Sequence, residues 1–279
     1  MVDLFLKIIF GLYRRVFARR CLYRFNKLLF DLAVRGMGLF NFENDRVNGE
    51  SCFFRNFLTG REGLRILDAG ANSGQYSARV RSCCPDAIIH AFEPHPATFK
   101  QLKSEAERLG FEAINQGLSD IPGSMQLFDR LGETAGSEHA TLYRQVIEEI
   151  HGTGVTVFDV SITTIDDFLA ERGIRQIDLL KIDTEGNELK VLQGASAALA
   201  GNIIDMVQIE FNEMNVASRV FFRDFFSLLQ GYACYRLLPG GLLPIVRYRP
   251  LYHELFAFQN LLFIRKGSRF DTTNGGASR

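Results

Sequence analysis

Several absences narrow what this chain can be. Its cysteines (Cys21, Cys52, Cys83, Cys84 and Cys234) are odd in number, and none belongs to a C-x-x-C or Cys/His group. A disulfide framework and a zinc site are therefore not expected, and reduced thiols in a cytoplasmic protein are. Net charge is also missing, with 32 basic and 32 acidic residues. A balanced chain offers no general electrostatic footprint for nucleic acid, so no nucleic-acid partner is expected. The N-terminal apolar stretch is broken by Lys7 and by arginine pairs, too early for a spanning helix. It also lacks the clean apolar core and small-residue cleavage site of a secretory signal. No internal repeat occurs. G-x-G-x-x-G is absent as well, which argues against a site that seats a dinucleotide pyrophosphate.

What is present is most informative at residues 65–74. The apolar pair Ile66-Leu67 ends in Asp68, and Gly70 and Gly74 follow at a D-x-G-x-x-x-G spacing. A buried strand that breaks into a glycine turn and opens a helix is an entrance for a nucleotide cofactor. Asn72 stands where a dinucleotide site would place its second glycine. The strand-end acid suits a ligand with a cationic amino-acid part, such as S-adenosylmethionine. One helix-length further on, Ala87–Phe92 stops at Glu93-Pro94. A carboxylate at that second tip can accept both hydroxyls of an adenosine ribose, and Pro94 ends the strand.

A third acidic tip carries the candidate reaction centre. Lys181-Ile182-Asp183-Thr184-Glu185-Gly186-Asn187-Glu188 follows an apolar run, and Glu210 ends the next one. Strand alternation sends Lys181 and Asp183 to one side. Asp183, Glu185 and Glu210 could orient an acceptor hydroxyl and take its proton. The same three oxygens could instead hold a divalent cation that acidifies it. Lys181 would neutralise the cluster, and Glu188 suits a helix N-terminus. Among the histidines, His95 reads as local structure, while His151 and His253 are further candidate bases. His139, in an irregular stretch, is the one placed to face substrate.

The elements alternate. Helices are expected at 73–81, 96–108, 187–200 and 218–230, with a capped one from Thr164 to Gly173. Strands are expected at 111–119, 124–129, 177–183, 204–211, 235–238 and 261–265. This predicts an α/β, doubly wound sheet with an antiparallel edge. Residues 130–154 read as a lid or substrate loop. Residues 1–48 form a basic amphipathic helical extension, 49–266 the catalytic domain, and 267–279 a disordered polar tail. Residues 1–30 hold seven basic residues against Asp3, a net +6 that leaves −6 for the remainder. Two readings stay open for this segment: peripheral contact with the inner face of a membrane, or a helix packed over the pocket.

With these residues in view, the chain resembles the FkbM-type methyltransferase family. The matching elements are Gly49-Glu50, Ile66-Leu-Asp-Ala-Gly-Ala-Asn-Ser-Gly-Gln-Tyr-Ser77, Ala91-Phe-Glu-Pro-His-Pro96 and Thr164-Ile-Asp-Asp-Phe-Leu169. Ile177-Asp-Leu-Leu-Lys-Ile-Asp-Thr-Glu-Gly-Asn-Glu188 and Val191-Leu-Gln-Gly-Ala195 complete the set. The resemblance implies a class I, Rossmann-like S-adenosylmethionine-dependent methyltransferase. It would act on a hydroxyl of a sugar, glycolipid, polysaccharide or natural product. It also implies cofactor contacts at Asp68, Gly70, Asn72, Gly74, Glu93 and Pro94, with Gly117, Leu118 and Ser119 near the adenine. Two rival readings are a membrane-bound protein with a degenerate cofactor fold and an NAD-dependent sugar oxidoreductase. The intact acidic set speaks against the first. The glycine spacing and the lack of a Tyr-x-x-x-Lys pair speak against the second.

Overall fold

The structure, a computed structural model, describes residues 2–132, 136 and 140–272. The strands are β1 (Arg65–Ala69), β2 (Ile88–Phe92), β3 (Glu112–Ile114), β4 (Gly117–Leu118), β5 (Gly123–Arg130) and β6 (Val155–Thr163). They continue with β7 (Ile177–Ile182), β8 (Ile204–Phe211), β9 (Tyr232–Leu238), β10 (Gly241–Pro244) and β11 (Gln259–Arg265). The helices are α1 (Val2–Phe17), α2 (Tyr23–Gly36), α3 (Glu50–Phe53), α4 (Gln75–Cys83), α5 (Pro96–Leu109) and α6 (Ile165–Arg172). After them come α7 (Glu188–Gln193), α8 (Ser196–Ala200), α9 (Met214–Ser218), α10 (Phe222–Leu228) and α11 (Pro250–His253).

Among the described residues the main sheet runs β10-β9-β11-β8-β7-β1-β2-β3. Strands β3, β2, β1, β7 and β8 are parallel, and β11 inserts antiparallel between β8 and β9. This is the α/β, doubly wound sheet with an antiparallel edge that the sequence predicts. Strand order reverses between β1 and β7, so the crevice beyond their carboxyl ends is where a ligand should sit.

Period-2 alternation splits the core. Leu67, Leu180, Ile182, Val207 and Ile209 face Ile165, Phe168, Val191 and Phe222 on one side. Ile66, Leu179 and Met206 face Phe53, Phe54, Phe57 and Val80 on the other. Both faces of β7 are covered, which is why it reads as an unbroken apolar run interrupted only by Asp178 and Lys181.

Some expectations need correction. The stretch 111–119 is two short strands: β3 belongs to the main sheet, while β4 pairs with β6 in a separate three-stranded sheet with β5. Strand β6 is not among the expected strands, although its residues alternate from exposed Val157, Asp159 and Ser161 to the more buried Phe158, Val160 and Ile162. The helical stretch 187–200 is broken between α7 and α8. The helix expected at 218–230 is shorter, because Arg219 adopts a left-handed conformation between α9 and α10. Contacts of the sheet region reach back before residue 49. Arg236 donates to the Met37 carbonyl, and the Phe40 amide donates to the Phe258 carbonyl. Within 267–272, Phe270 is buried against the sheet and Arg269 pairs with Asp178 at 2.6 Å. Residues 273–279 lie outside the described residues.

Candidate active site

Register builds the site. Asp68, Lys181 and Gln208 are neighbours across β1, β7 and β8. All three lie on the face covered by α3 and α4, opposite Leu67, Leu180 and Val207. One pleat further toward the carboxyl ends come Asp183, Glu210 and, on β11, Asn260, which lies opposite Glu210. The alternation that buries the core thus delivers a two-row polar patch at the switch point.

The inner row is held by three sets of hydrogen bonds. Asp68 is fully buried and accepts from the Ser77 hydroxyl at 2.7 Å. Lys181 donates to Asp183 at 2.8 Å and lies 5.4 Å from the centre of the Tyr76 ring. Tyr76 donates to Gln208 at 2.6 Å, and Gln208 donates to Glu50 at 2.7 Å. Burial alone would lower the Lys181 pKa, but Asp183, Asp68 and Glu50 outweigh it and raise it. Burial raises Asp68 and Glu50, and Lys181 offsets part of that. Glu50, Tyr76 and Gln208 were not candidates from sequence reasoning. Gly49-Glu50 and Gln75-Tyr76 appear within the quoted motifs, but no spacing rule assigns them a place under Lys181.

Above this network lies a cavity of about 1080 Å³. The β1–α4 turn forms one wall with Gly70, Ala71, Asn72, Ser73, Gln75 and Tyr76. Gly70 (φ +78°) and Asn72 (φ +49°) adopt left-handed conformations there. The amides of Gly70 and Ala71 donate to the Phe92 carbonyl, clamping the turn to β2. Glu93 accepts from the amides of Asn72 (3.0 Å) and His95 (2.8 Å). Burial pushes it up to about 7, with those two amides pulling the other way. Glu93, Pro94, Gly117 and Leu118 line the cavity. Of the expected cofactor contacts, Asp68 and Ser119 are fully buried behind the wall and do not line it; Gly74, whose φ of +92° starts α4, is likewise set back. Asn187 donates to the Leu118 carbonyl and holds the β4 end in place.

The opposite wall carries Lys181, Asp183, Glu185, Glu210, Asn212 and Glu213. Glu185 has φ +53°, a strained value for a residue with a side chain, and Thr141 donates to its carbonyl at 2.6 Å. Burial, then the charges of Asp183 and Glu188, hold Glu185 well above the usual carboxylate range. Burial, then Asp183 and Glu185, raise Glu210 in the same way. Glu188 is a brace. It accepts from the amides of Thr184 and Gly186, the Thr184 hydroxyl and the Asn215 side chain. No three acidic, histidine or cysteine side chains among the described residues are grouped as a metal ion would require.

Among the histidines, His95 caps α5 by accepting from the Ala97 and Thr98 amides. His151 contacts Arg130 at 2.9 Å, and His253 accepts from the Arg249 amide. None of these lines the cavity. His139 lies outside the described residues. Ala140 and Leu142 line the cavity. The outer end is lined by Phe40, Phe42, Asn44, Asn48, Phe258 and Asn260. These belong to the segment after α2, the approach to β11 and the start of β11 itself, regions that carry no sequence motif.

Comparison with known proteins agrees with this geometry. Residues 68–234 match the methyltransferase FkbM domain. Methyltransferase sdnD of Sordaria araneosa is 34% identical over 46% of this chain and 59% of its own length. The 31-O-demethyl-FK506 methyltransferase FkbM of Streptomyces tacrolimicus is 28% identical, covering 53% and 66%. The hexuronic acid methyltransferase AglP of Haloferax volcanii is 30% identical, covering 58% and 63%. The chain thus spans less than two thirds of each of these relatives. From the matched residues, which hold the glycine turn and all three acidic tips, the chain belongs to the methyltransferase FkbM domain family.

Proposed function

We propose that this protein is an S-adenosylmethionine-dependent O-methyltransferase acting on a hydroxyl of a sugar, glycolipid, polysaccharide or related natural product. The carrying observation is that the Gly70–Ser73 turn, Glu93 and the Asp183–Glu185–Glu210 set share one cavity. Two relatives support the acceptor class: one by its name methylates an FK506 oxygen, and another a hexuronic acid.

The residues fit the cofactor. The turn offers bare backbone, Glu93 offers ribose-binding oxygens, and the acidic wall suits a cation. S-adenosylmethionine supplies a methyl on a sulfonium, which passes to the acceptor oxygen with release of a neutral thioether. The chain's own part is positioning and proton transfer. Asp183, fixed by Lys181, is suited to orient the acceptor hydroxyl. Glu185 and Glu210, with raised proton affinity, are suited to take its proton as the oxygen is methylated. This route needs no divalent cation. The enzyme would work from the cytoplasmic side, with residues 1–30 making peripheral membrane contact.

Calorimetry with S-adenosylhomocysteine tests the first step, and absence of binding by the folded chain refutes the reading. Labelled methyl donor, offered with isolated glycolipids and nucleotide sugars, tests the second. Activity undiminished in EDTA is expected, and its loss would restore the metal alternative.

A further inference from the structure

The two N-terminal helices carry an apolar surface that the domain does not use. Leu4, Phe5, Ile8 and Leu12 of α1 are 67%, 65%, 62% and 63% exposed. Ile9, Phe10 and Val16 are exposed beside them. At 100° per residue these side chains spread over more than half of the helix circumference, Lys7 and Arg14 lie together in the remaining arc, and Arg15 falls between Leu4 and Ile8. Helix α2 repeats the pattern, with Phe25, Leu28, Leu29 and Leu32 exposed on one side and Arg24, Lys27, Asp31 and Arg35 on another.

The pair is a built unit. Asn26 accepts from the Tyr13 hydroxyl at 2.5 Å and donates to the Phe17 carbonyl at 2.9 Å. Phe17 stacks on Phe25 with ring centres 5.6 Å apart. Its attachment to the domain lies at its far end, where Val34 is buried with Leu39 and Ala257. Of the two readings left open for this segment, a helix packed over the pocket is the less favoured, because its large apolar residues face outward. Phe40, four residues after α2, already lines the cavity, and four residues reach about 14 Å at most.

Charge selects the occupant. The segment's net +6 opposes the −6 of the remaining chain, and helices with wide apolar faces flanked by arginines settle into anionic lipid interfaces. No helix among the described residues is long and apolar enough to cross a membrane. We propose that α1 and α2 dock the protein on an anionic bilayer, and that its acceptor is a lipid-anchored glycan met at that surface. The acceptor half of this proposal rests on the methyltransferase reading; the docking half does not.

Flotation of the full chain tests it, with phosphatidylcholine vesicles made with and without phosphatidylglycerol. The chain should float with the anionic vesicles and release at high salt. A Phe5→Glu/Leu12→Glu variant should lose at least tenfold in bound fraction while binding S-adenosylhomocysteine as before. A chain that binds S-adenosylhomocysteine but does not float overturns docking, as does burial of these helices in a dimer seen by sedimentation. With labelled S-adenosylmethionine and a total extract of the native cell, label should enter the organic phase. Label confined to the aqueous phase overturns the lipid-anchored acceptor. Failure to bind S-adenosylhomocysteine would instead mark failure of the methyltransferase reading.

Discussion

Gly70 lies directly against the main chain of Asp183: a Cβ at residue 70 would come within 1.8 Å of the Asp183 carbonyl oxygen. The cofactor turn and the acidic loop are thus one packed object, and a change in either moves both. Gly70→Ala meets that backbone clash and a φ of +78°. It should cost about 2–3 kcal/mol of stability and weaken S-adenosylhomocysteine binding at least tenfold. Denaturant titration and calorimetry measure the two effects. Unchanged affinity would separate the turn from the ligand.

Glu185 and Glu210 are both raised, chiefly by burial. A carboxyl that takes the acceptor proton must first be ionised, so methyl transfer should accelerate as pH rises through that group's raised pKa. Replacing the base by glutamine should lower kcat by about 10²–10⁴ and flatten that profile, leaving S-adenosylhomocysteine affinity intact. Glu185→Gln and Glu210→Gln measured separately identify which group takes the proton. Two variants with wild-type profiles would remove both from the mechanism.

Glu93 gives a second pH dependence with its own readout. Its carboxyl is raised to about 7, and only the ionised form accepts from both ribose hydroxyls. S-adenosylhomocysteine should therefore bind about tenfold more weakly at pH 6 than at pH 8, and Glu93→Gln should abolish the difference. The sign for the free protein is opposite. A carboxyl raised on folding contributes stability below its unfolded pKa, and that contribution is lost as pH rises through about 7. Calorimetry across this range separates the two.

Glu188 should be a folding residue. Glu188→Ala leaves the buried amide of Gly186 and the side chain of Asn215 without their acceptor. The expected cost is about 3 kcal/mol. The Asp183–Glu185 loop should loosen with it, so that kcat falls through loss of order. Glu188→Gln, which keeps one acceptor oxygen, should recover part of the stability; a fully stable alanine variant would contradict the bracing role.

Glycine spacing, strand-end acids and the K-I-D-x-E-G-x-E run were legible because each is local: a strand, its terminating residue and the turn after it lie within a few positions. From them came the doubly wound sheet, the Gly70–Asn72 turn, Glu93 and the Asp183–Glu185 loop. Thr164 and Pro96 marked helix starts through the same short-range chemistry. Asp68 shows the limit. Its place in the motif suggested ligand contact, but pleating turns it under α4 to Ser77.

The chain order alone determined which residues end strands, where charge gathers and how often apolar residues recur, because those are properties of neighbours. Only the tertiary structure decided that Glu50, Tyr76 and Gln208 meet beneath Lys181, that the segment after α2 walls the cavity, and that α1 and α2 keep their apolar faces outward. Those outcomes depend on sheet register and on contacts spanning up to 199 residues, as between Arg236 and Met37. Spacing along the chain says nothing about which distant strands will lie side by side.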